Sequence, residues 1–332
     1  MSTDKLPLLF ISGAAGFIAS ETLRFFLNQR PFRILVIDEF NSDQRYLNIK
    51  DIPQLEFLER DSLDSYLQTC EIPKLYIHLG ARTDTTEMDY RIHEKLNLKA
   101  SQTVWNFCSL HQIPLIYASS AATYGLGEFG YEDNHEIIDK LVPLNPYGVS
   151  KNEFDKWAIK QVEQGNHPPH WYGLKFFNVY GPHESHKGRM ASVIFHAFHQ
   201  IQKTGQMKLF RSHHPEYKDG EQQRDFIYVN DLVKVIWWLW NQLPGSGLYN
   251  LGTGKAATFL DLAHGVFKAL DLKPSIEFVD TPADIRDNYQ YFTEANMNKL
   301  RLAGYTSEFT SLADGIQDYI NTFLLPNYST EK

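Results

Sequence analysis

The sequence predicts an α/β protein built on a Rossmann-type, doubly wound parallel sheet, with a smaller, discontinuous C-terminal lobe. Three observations predict this fold. Short apolar runs alternate with longer amphipathic segments in the first half, a glycine-rich turn follows the first apolar run, and the alternation loosens after about residue 180. A chain of 332 residues also exceeds what one hydrophobic core usually supports, so a large domain and a smaller lobe are expected.

Four apolar runs in the first half are predicted to form parallel strands that are buried on both faces. They lie at residues 8–11, 34–37, 75–78 and 115–118. Near-continuous apolar runs of this kind are typical of parallel sheets that helices cover on both sides. Helical spacing at residues 19–29 and 94–111 supplies the crossover connections that return each strand in the same direction.

The second half carries less regular elements. Helices are predicted at residues 192–203 and 259–270, and strands that could return to the main sheet at 224–229 and 248–251. Polar stretches rich in histidine, glycine and charge, which are predicted as surface loops, lie at residues 183–187 and 212–223.

These patterns divide the chain into a dinucleotide-binding domain and a substrate-binding lobe. The predicted dinucleotide-binding domain comprises residues 1–178 and about 226–254. The predicted substrate-binding lobe comprises residues about 179–225 and 255–330.

Composition and charge argue against several classes of protein. A net charge of −8 does not favour a nucleic-acid-binding surface. The most apolar stretches, residues 6–11 and 233–240, are far shorter than the roughly 20 residues of a transmembrane helix, so no membrane association is expected. Cys70 and Cys108 show neither metal-ligand spacing nor a disulfide framework, which indicates a reducing compartment and a cytoplasmic protein.

No metal site is predicted. The loop histidines form no pair with metal-ligand spacing next to a carboxylate; they are His167, His170, His183, His186, His213 and His214. The aromatic run at residues 237–240 has two open interpretations, an oligomer face or a helix packed against the sheet. A homo-oligomer is the expected assembly.

The glycine-rich turn after the first strand predicts a dinucleotide site. Gly13 permits a tight turn, Gly16 lets a diphosphate approach the backbone, and Ala19 is small enough for close helix–sheet packing. The spacing is one residue wider than the usual fingerprint. Asp38 ends the second strand about 20 residues further on, where an acidic side chain binds a ribose hydroxyl.

The residues after the second strand leave the choice between NAD and NADP open. Asp38 and Glu39 favour NAD, because two carboxylates repel a 2′-phosphate. Arg45 lies close behind and could pair with that phosphate instead.

A helix start carries the residues that indicate catalysis. Asn145 can cap this helix with Pro146 at its first position, and Tyr147 and Lys151 then share one helical face at i and i+4. A neighbouring ammonium stabilises a phenolate and so lowers its pKa. Ser120 ends the fourth strand at the sheet edge where ligands bind, and it can hold a substrate hydroxyl against Tyr147.

These motifs resemble the extended short-chain dehydrogenase/reductase superfamily of nucleotide-sugar enzymes. The shared patterns are Gly-x-x-Gly-x-x-Ala at 13–19, Ser-Ser-Ala-Ala-Thr-Tyr-Gly at 119–125 and Tyr-x-x-x-Lys at 147–151. Stretches at 84–87, 177–182, 186–192 and 224–226 narrow the resemblance to the ADP-glyceromanno-heptose 6-epimerase family, over about residues 8–323. The specific one is His-Lys-Gly-x-Met-Ala-Ser at 186–192.

The resemblance implies an enzyme that inverts C6 of ADP-D-glycero-β-D-manno-heptose, giving the L-glycero sugar of the lipopolysaccharide inner core. Bound NADP would oxidise C6 transiently and reduce it again from the opposite face, which requires proton-handling groups on both sides. By the resemblance, Tyr147 serves one side and Lys187 the other. Lys151 would support Tyr147 and bind the nicotinamide ribose, and Ser120 completes the implied catalytic set.

The resemblance also implies two binding sets. The cofactor set is Gly13, Gly16, Phe17, Ile18, Asp38, Glu39, Arg45, Leu79, Gly80, Ala81, Arg82, Asn97, Tyr147, Lys151 and Val179. The ADP-sugar set is Ser120, Asn178, Arg189, His196, Phe210, Arg224 and Tyr289. Arg224 also has a physical argument, because a diphosphate in a protein of net charge −8 needs local cations and guanidinium binds phosphate bidentately.

Two alternatives remain at this point. Another nucleotide-sugar epimerase or reductase, such as a 4-epimerase, would use the same core residues. A dehydratase is disfavoured, because Tyr124 and Gly125 follow Thr123 where an Asp-Glu pair would be needed. A non-catalytic, cofactor-sensing regulator tends to lose Tyr-x-x-x-Lys, whereas this chain keeps both Tyr147 and Lys151.

Overall fold

The main sheet of this computed structural model, which describes residues 6–40, 43–282, 286 and 289–330, has seven strands. The strands of the structure are β1 Leu8–Ser12, β2 Arg33–Asp38, β3 Leu55–Glu59, β4 Leu75–His78, β5 Leu115–Ser120, β6 Trp171–Phe176, β7 Asn178–Tyr180, β8 Met207–Phe210, β9 Gln223–Arg224, β10 Phe226–Tyr228, β11 Gly247–Leu251, β12 Ala257–Thr258 and β13 Ile276–Val279. The main sheet has the order β11-β6-β5-β4-β1-β2-β3, and the pairs from β6 to β3 are parallel. The predicted fold class is thereby confirmed.

Helices connect these strands and cover the sheet. The α-helices are α1 Phe17–Gln29, α2 Asp43–Tyr46, α3 Leu63–Tyr66, α4 Tyr90–His93, α5 Ala100–Leu110, α6 Pro146–Glu163, α7 Val193–Thr204, α8 Val229–Gln242, α9 Phe259–Ala269, α10 Asn298–Leu302, α11 Leu312–Tyr319 and α12 Leu325–Thr330. Segments Glu94–Lys99 and Ile320–Leu324 are π-helical, and 3₁₀ turns occupy Arg60–Ser62, Ala121–Tyr124, His135–Lys140 and Ser185–Met190. Of the described helices, none has the length and hydrophobicity required to cross a bilayer.

The central strands confirm the predicted double-sided burial. Every residue of β1 and β4 is buried, and β2 is buried except at its first residue. β3 and β6 of the main sheet are not among the strands predicted from the sequence. β3 is the edge strand of the sheet and remains half exposed, so its sequence Leu-Glu-Phe-Leu-Glu lacks the apolar run that marks the inner strands.

The prediction that residues 224–229 form one strand of the main sheet is wrong, whereas 248–251 does form an edge strand there. Residues 223–228 instead form β9, which pairs antiparallel with β12, and β10, which pairs parallel with β7. Asp225 lies between them and is fully buried. Its carboxylate accepts hydrogen bonds from the backbone amides of Thr253, Gly254 and Ala295, and these bonds hold the chain out of a continuous strand.

The chain divides into two compact units. The first comprises Met1–Phe176, Val233–Asn250 and Asn298–Tyr305 and holds the main sheet. The second comprises Phe177–Leu232, Leu251–Met297 and Thr306–Lys332 and holds the three two-stranded sheets. The assignment of the dinucleotide to the first unit and the sugar to the second stays a prediction.

The aromatic run at residues 237–240 packs within the first unit. The ring centroid of Phe26 on α1 lies 4.9 Å from that of Trp237 and 5.7 Å from that of Trp240. The Arg30 guanidinium lies 4.9 Å from the centre of the Trp240 ring, which favours a cation–π contact. The run therefore lies on a helix, as one of the two interpretations has it, but these ring contacts are with α1 rather than with the sheet. The homo-oligomer stays a prediction.

We expect Phe26→Ala to lower the free energy of unfolding by about 3–5 kcal/mol, because Phe26 is fully buried among these rings and its removal leaves a cavity. Chemical denaturation measures the loss. Leu302→Ala is the control, since Leu302 is 88% exposed and its truncation should change stability by no more than about 0.5 kcal/mol. Equal effects of the two substitutions would contradict the packing described for α8.

Candidate active site

The glycine-rich turn lies against the loop that follows β4. Gly13 has a φ of +75°, and a Cβ atom there would lie 2.5 Å from the Cα atom of Gly80. Its amide donates to the Ile37 carbonyl at 2.8 Å, and the amide of Gly16 donates to the Gly13 carbonyl at 2.9 Å. α1 begins directly afterwards at Phe17, so the positive end of its helix dipole lies at the carboxyl edge of the sheet.

Asp38 fixes the end of β2 to this turn. Its buried carboxylate accepts the amide of Ala15 at 2.9 Å, the amide of Glu39 at 2.8 Å and the guanidinium of Arg45 at 2.6 Å. Arg60 lies beside it and pairs with Glu39 at 3.1 Å. The predicted cofactor residues 38, 39 and 45 are therefore brought together, and Arg60 is an additional cation that the sequence analysis missed.

Asn97 connects the loop after β4 to α6. Its Oδ1 accepts the Arg82 amide at 2.7 Å, and its Nδ2 donates to the Arg82 carbonyl at 3.1 Å and to the Ser150 hydroxyl at 2.9 Å. Asn97 lies in the π-helical segment Glu94–Lys99, a local distortion that is frequent at functional sites. The loop residues 79–82 are thereby held next to Gly13 and to the helix that carries Tyr147.

The start of α6 confirms the predicted cap and brings Tyr147 and Lys151 to the end of β5. The Asn145 side chain accepts the Gly148 amide at 2.8 Å, with Pro146 as the first helical residue. Ser120 ends β5 and lies close enough to Tyr147 for its hydroxyl to lower the pKa of that phenol. Lys151 is buried, and its Nζ donates to the Ala118 carbonyl of β5 at 2.7 Å. These three side chains therefore meet at the carboxyl end of β5.

The expected lowering of the Tyr147 pKa is wrong for this structure. Burial of the Tyr147 phenol raises its pKa, and the nearby Ser120 hydroxyl opposes this only in part. Lys151 is not among the groups that lower this pKa, and the charge of Asp155 raises it further. Burial instead lowers the pKa of Lys151 itself to about 8, so this amine releases its proton more readily than an exposed lysine.

In the second unit, Lys187 lies near a buried carboxylate. Glu184 is fully buried and accepts the Ser192 amide at 2.5 Å, the Ser192 hydroxyl at 2.7 Å and the Gly181 amide at 3.4 Å. Burial raises the pKa of Glu184 and lowers the pKa of the half-buried Lys187, and the charge of each opposes the shift of the other. Lys187 is therefore not an ordinary solvated loop lysine.

Three of the predicted substrate residues form one cluster in the second unit. The buried guanidinium of Arg224 donates to the carbonyls of Gln223 and Gln290 and lies 5.5 Å from the ring centre of Tyr289. The ring of Tyr289 contacts that of Phe210, with centroids 6.2 Å apart. Arginine, tyrosine and phenylalanine thus offer a cationic and aromatic surface.

The other predicted residues of the second unit lie elsewhere on it. Asn178 and Arg189 are exposed and Val179 is half-buried. His196 is exposed on α7 and lines a cavity of about 330 Å³ together with Gln200 and Lys208. Across the described part of the chain, no group of three or more His, Cys, Asp or Glu side chains is arranged to hold a metal ion.

Sequence reasoning missed Arg60, Glu184 and a buried ion pair between Asp155 and Lys175. For Asp155 and Glu184, the sequence spacing to a predicted catalytic lysine could have indicated a contact. Asp155 follows Lys151 by four residues on α6, and Glu184 precedes Lys187 by three. Lys175 had no such indication, because a lysine within an apolar strand is not expected to be buried without knowledge of its partner.

Comparison with known proteins identifies relatives along almost the whole chain. The profile of the NAD dependent epimerase/dehydratase family matches residues 9–252. A protein of Fusobacterium nucleatum named ADP-L-glycero-D-manno-heptose-6-epimerase is 43% identical over 329 residues, covering 96% of this chain and 98% of the relative. One of the same name from Nitratidesulfovibrio vulgaris is 41% identical over 321 residues, with the same coverage of 96% and 98%.

Solved structures share the fold. The ADP-L-glycero-D-manno-heptose-6-epimerase of Helicobacter pylori has a TM-score of 0.78 at 24% identity, covering 98% of this chain and 97% of that one. The UDP-N-acetylglucosamine 4-epimerase of Methanobrevibacter ruminantium has a TM-score of 0.80 at 20% identity, covering 97% and 99%. At these identities the two structures establish the fold alone.

The lowered pKa of Lys151 predicts a pH-dependent contribution to stability. Between about pH 8 and its ordinary value of 10.5, the unfolded chain holds a proton on Lys151 that the folded protein has released. Unfolding then takes up a proton, so the free energy of unfolding rises with pH by up to about 1.4 kcal/mol per unit in this window. Below it, both states hold the proton and the contribution is constant.

Denaturation of cofactor-free protein from roughly pH 7 to 10 measures this contribution as the difference between the wild type and Lys151→Met. The free energy of unfolding of the wild type should rise relative to that of the variant as the pH rises above about 8. A difference that does not change over this range would mean that Lys151 keeps its ordinary pKa.

Proposed function

Because the chain belongs to the NAD dependent epimerase/dehydratase family, among its ADP-L-glycero-D-manno-heptose-6-epimerases, we propose that it inverts C6 of ADP-D-glycero-β-D-manno-heptose. It is an epimerase of a nucleotide sugar, and the reaction makes it an isomerase. The observation that carries the proposed chemistry is the meeting of Tyr147, Ser120 and Lys151 at the carboxyl end of β5, with Lys151 one helical turn after Tyr147 on α6 and bonded to the Ala118 carbonyl.

The reaction needs oxidation, because the C6–H bond has no neighbouring carbonyl that would make it acidic. When bound, a nicotinamide cofactor supplies the acceptor and donor of hydride for C6. Ser120 accepts the Ala122 amide at 3.1 Å, which orients its own hydroxyl hydrogen for Tyr147 or for a sugar hydroxyl. Tyr147 then moves the proton of that hydroxyl, and Lys187 handles the proton for the opposite configuration.

The dinucleotide fits the residues present in the first unit. Gly13 brings the backbone of the turn against Gly80 and leaves no space for a side chain, and a Cβ atom at Gly16 would lie 3.0 Å from the Gly13 carbonyl oxygen. A diphosphate-binding turn requires such close approach of backbone. The amides at the start of α1 would hold the diphosphate, and Asn97 with Lys151 would hold the nicotinamide ribose. These assignments rest on the resemblance of the motifs and on the packing of the turn.

NADP is the proposed form of the cofactor. Arg45 and Arg60 place two guanidinium groups beside Asp38 and Glu39, so each carboxylate at the end of β2 already has a cationic partner. A 2′-phosphate would bring two negative charges that both arginines can bind, which reverses the repulsion expected from the carboxylates alone.

The ADP end of the substrate is assigned to the second unit. Arg224 supplies the cation for the diphosphate, and its buried guanidinium is held in place by two backbone carbonyls. Tyr289 and Phe210 add apolar and aromatic surface beside it. Asn178, Arg189 and His196 complete the proposed substrate set.

We expect Tyr147→Phe and Lys187→Met each to slow epimerisation of ADP-D-glycero-β-D-manno-heptose by about 10²–10⁴-fold, because each removes one positioned acid–base group. NMR of the two epimers measures the turnover, and circular dichroism verifies the fold. Lys203→Met, at an exposed position near the end of α7, removes a charge from the same unit as Lys187 and should leave the rate unchanged.

Near-normal turnover by Lys187→Met would remove Lys187 from the mechanism. If the wild type did not convert the ADP-heptose but acted on a UDP- or GDP-hexose, the proposed substrate would be wrong.

We further expect the protein to purify with NADP bound. Arg45→Glu should weaken the binding of NADP roughly 10- to 100-fold more than the binding of NAD, since it removes a charged partner of the 2′-phosphate. Mass spectrometry of the nucleotide released on denaturation identifies the cofactor, and calorimetry compares the affinities. Arg91→Glu, on the exposed surface of α4, makes the same change of charge and should affect the binding of NADP and NAD equally. Recovery of NAD alone from the wild type would overturn the NADP assignment.

A further inference from the structure

A buried ion pair lies beneath the proposed catalytic residues of the first unit. The Nζ atom of Lys175 on β6 lies 2.8 Å from Oδ2 of Asp155 on α6, and the two side chains are 1% and 0% exposed. Asp155 follows Lys151 by four residues and Tyr147 by eight, so all three lie on one face of α6. Complete burial of both charges is rare and requires that each be fully bonded.

The bonds of the pair reach both sides of Ser120. Oδ2 of Asp155 accepts the hydroxyl of Ser119 at 2.6 Å, and Nζ of Lys175 donates to the hydroxyl of Thr123 at 2.8 Å. The Thr123 hydroxyl in turn donates to the carbonyl of Ser120 at 2.8 Å. The residue before Ser120 and the turn after it are therefore both attached to the same ion pair.

We propose that Asp155 and Lys175 are positioning residues of the epimerase. They hold Ser120 next to Tyr147, and they determine the electrostatic environment of Tyr147 and Lys151. This inference rests on the proposed function, in which those three residues act on the sugar hydroxyl. Neither member of the pair touches substrate or cofactor, since both are enclosed by protein.

Stability alone does not explain why this position holds an ion pair. Replacing a buried ion pair by apolar side chains of similar size is often neutral or stabilising, so a purely structural role does not require two charges here. The negative charge of Asp155, in contrast, acts on the reactive groups: it raises the pKa of Tyr147 and opposes the fall of the Lys151 pKa.

Other titratable groups also face these side chains. They are His78 on β4, His93 on α4, Tyr117 on β5, and Tyr124, Asp133 and His135 in the segment before α6. Burial lowers the pKa of His78 to about 3 and of His135 to about 4, and it raises the pKa values of Tyr117 and Tyr124 well above their ordinary value. These four groups therefore keep one protonation state from roughly pH 6 to 9. His93 and Asp133 are unchanged in every variant, so they do not account for a difference between the pH profiles.

The test compares Asp155→Asn and the double variant Asp155→Asn/Lys175→Met with the full-length wild type, as holoenzyme. The double variant removes both charges together, so it remains informative where Asp155→Asn leaves an unpaired buried ammonium and fails to fold. We expect the folded double variant to lose at least about 10-fold in kcat with less than about a 3-fold change in KM, as for groups that act in the transition state.

The pH profile of kcat separates positioning from simple structural damage. Asp155→Asn removes the carboxylate that disfavours the Tyr147 phenolate and favours the Lys151 ammonium, and it leaves the Lys175 charge in place, so it should move the controlling pKa of kcat down by about 0.5 to 1 unit. The double variant removes both charges of the pair and should shift the profile less. Lys156→Met removes a charge from the next position of α6, where Lys156 pairs with the exposed Asp139, and should leave both kcat and its profile unchanged.

A folded double variant that keeps the wild-type kcat would overturn the inference, as would a folded Asp155→Asn variant that loses kcat without any shift of the profile. The proposed function fails by a different result, namely full activity of Tyr147→Phe, so the two failures are distinguishable in the same assay.

Discussion

The burial of a charged face of α6 against β5 is the constraint on which the first unit depends. Lys151 and Asp155 lie one turn apart on this face, and an unpaired charge at either position would be strongly destabilising. Each therefore has a fixed partner: the Ala118 carbonyl for Lys151, and Lys175 for Asp155. Because these bonds hold the helix at one height on the strand, Tyr147 at the start of the helix lies at the end of β5.

Two glycines make this close contact possible. A Cβ atom at Gly173 would lie 2.4 Å from the phenol of Tyr117, which donates to Asp155, and one at Gly148 would lie 2.8 Å from the Ala122 carbonyl. Larger residues would separate β6 from that phenol and α6 from the turn after Ser120. The pKa values then follow from the same burial, which opposes the charged forms of both Tyr147 and Lys151.

Buried carboxylates organise the irregular parts of the chain in a similar way. Asp38 ties the glycine-rich turn to Arg45, Glu184 ties the loop of Lys187 to the start of α7, and Asp225 joins three backbone amides from two later segments. A carboxylate accepts several hydrogen bonds at once, so it can satisfy the backbone amides of loops that have no strand partner. The proposed binding residues of each unit thus depend on acidic side chains that are themselves shielded from solvent.

The sequence by itself determined the inner strands β1, β2, β4 and β5, the glycine-rich turn and the start of α6, because these depend on local patterns: apolar runs, a glycine at a tight turn, and an Asn145 cap followed by proline. Only the tertiary structure decided the division of residues 223–228 into two strands, the partners of Glu184 and Lys175, and the direction of the Tyr147 pKa. Each of these depends on atoms far apart in the chain, such as Asp225 with Ala295 or Lys175 with Asp155. Hydrogen bonding and desolvation are set by which groups meet in space, and spacing along one sequence does not contain that information.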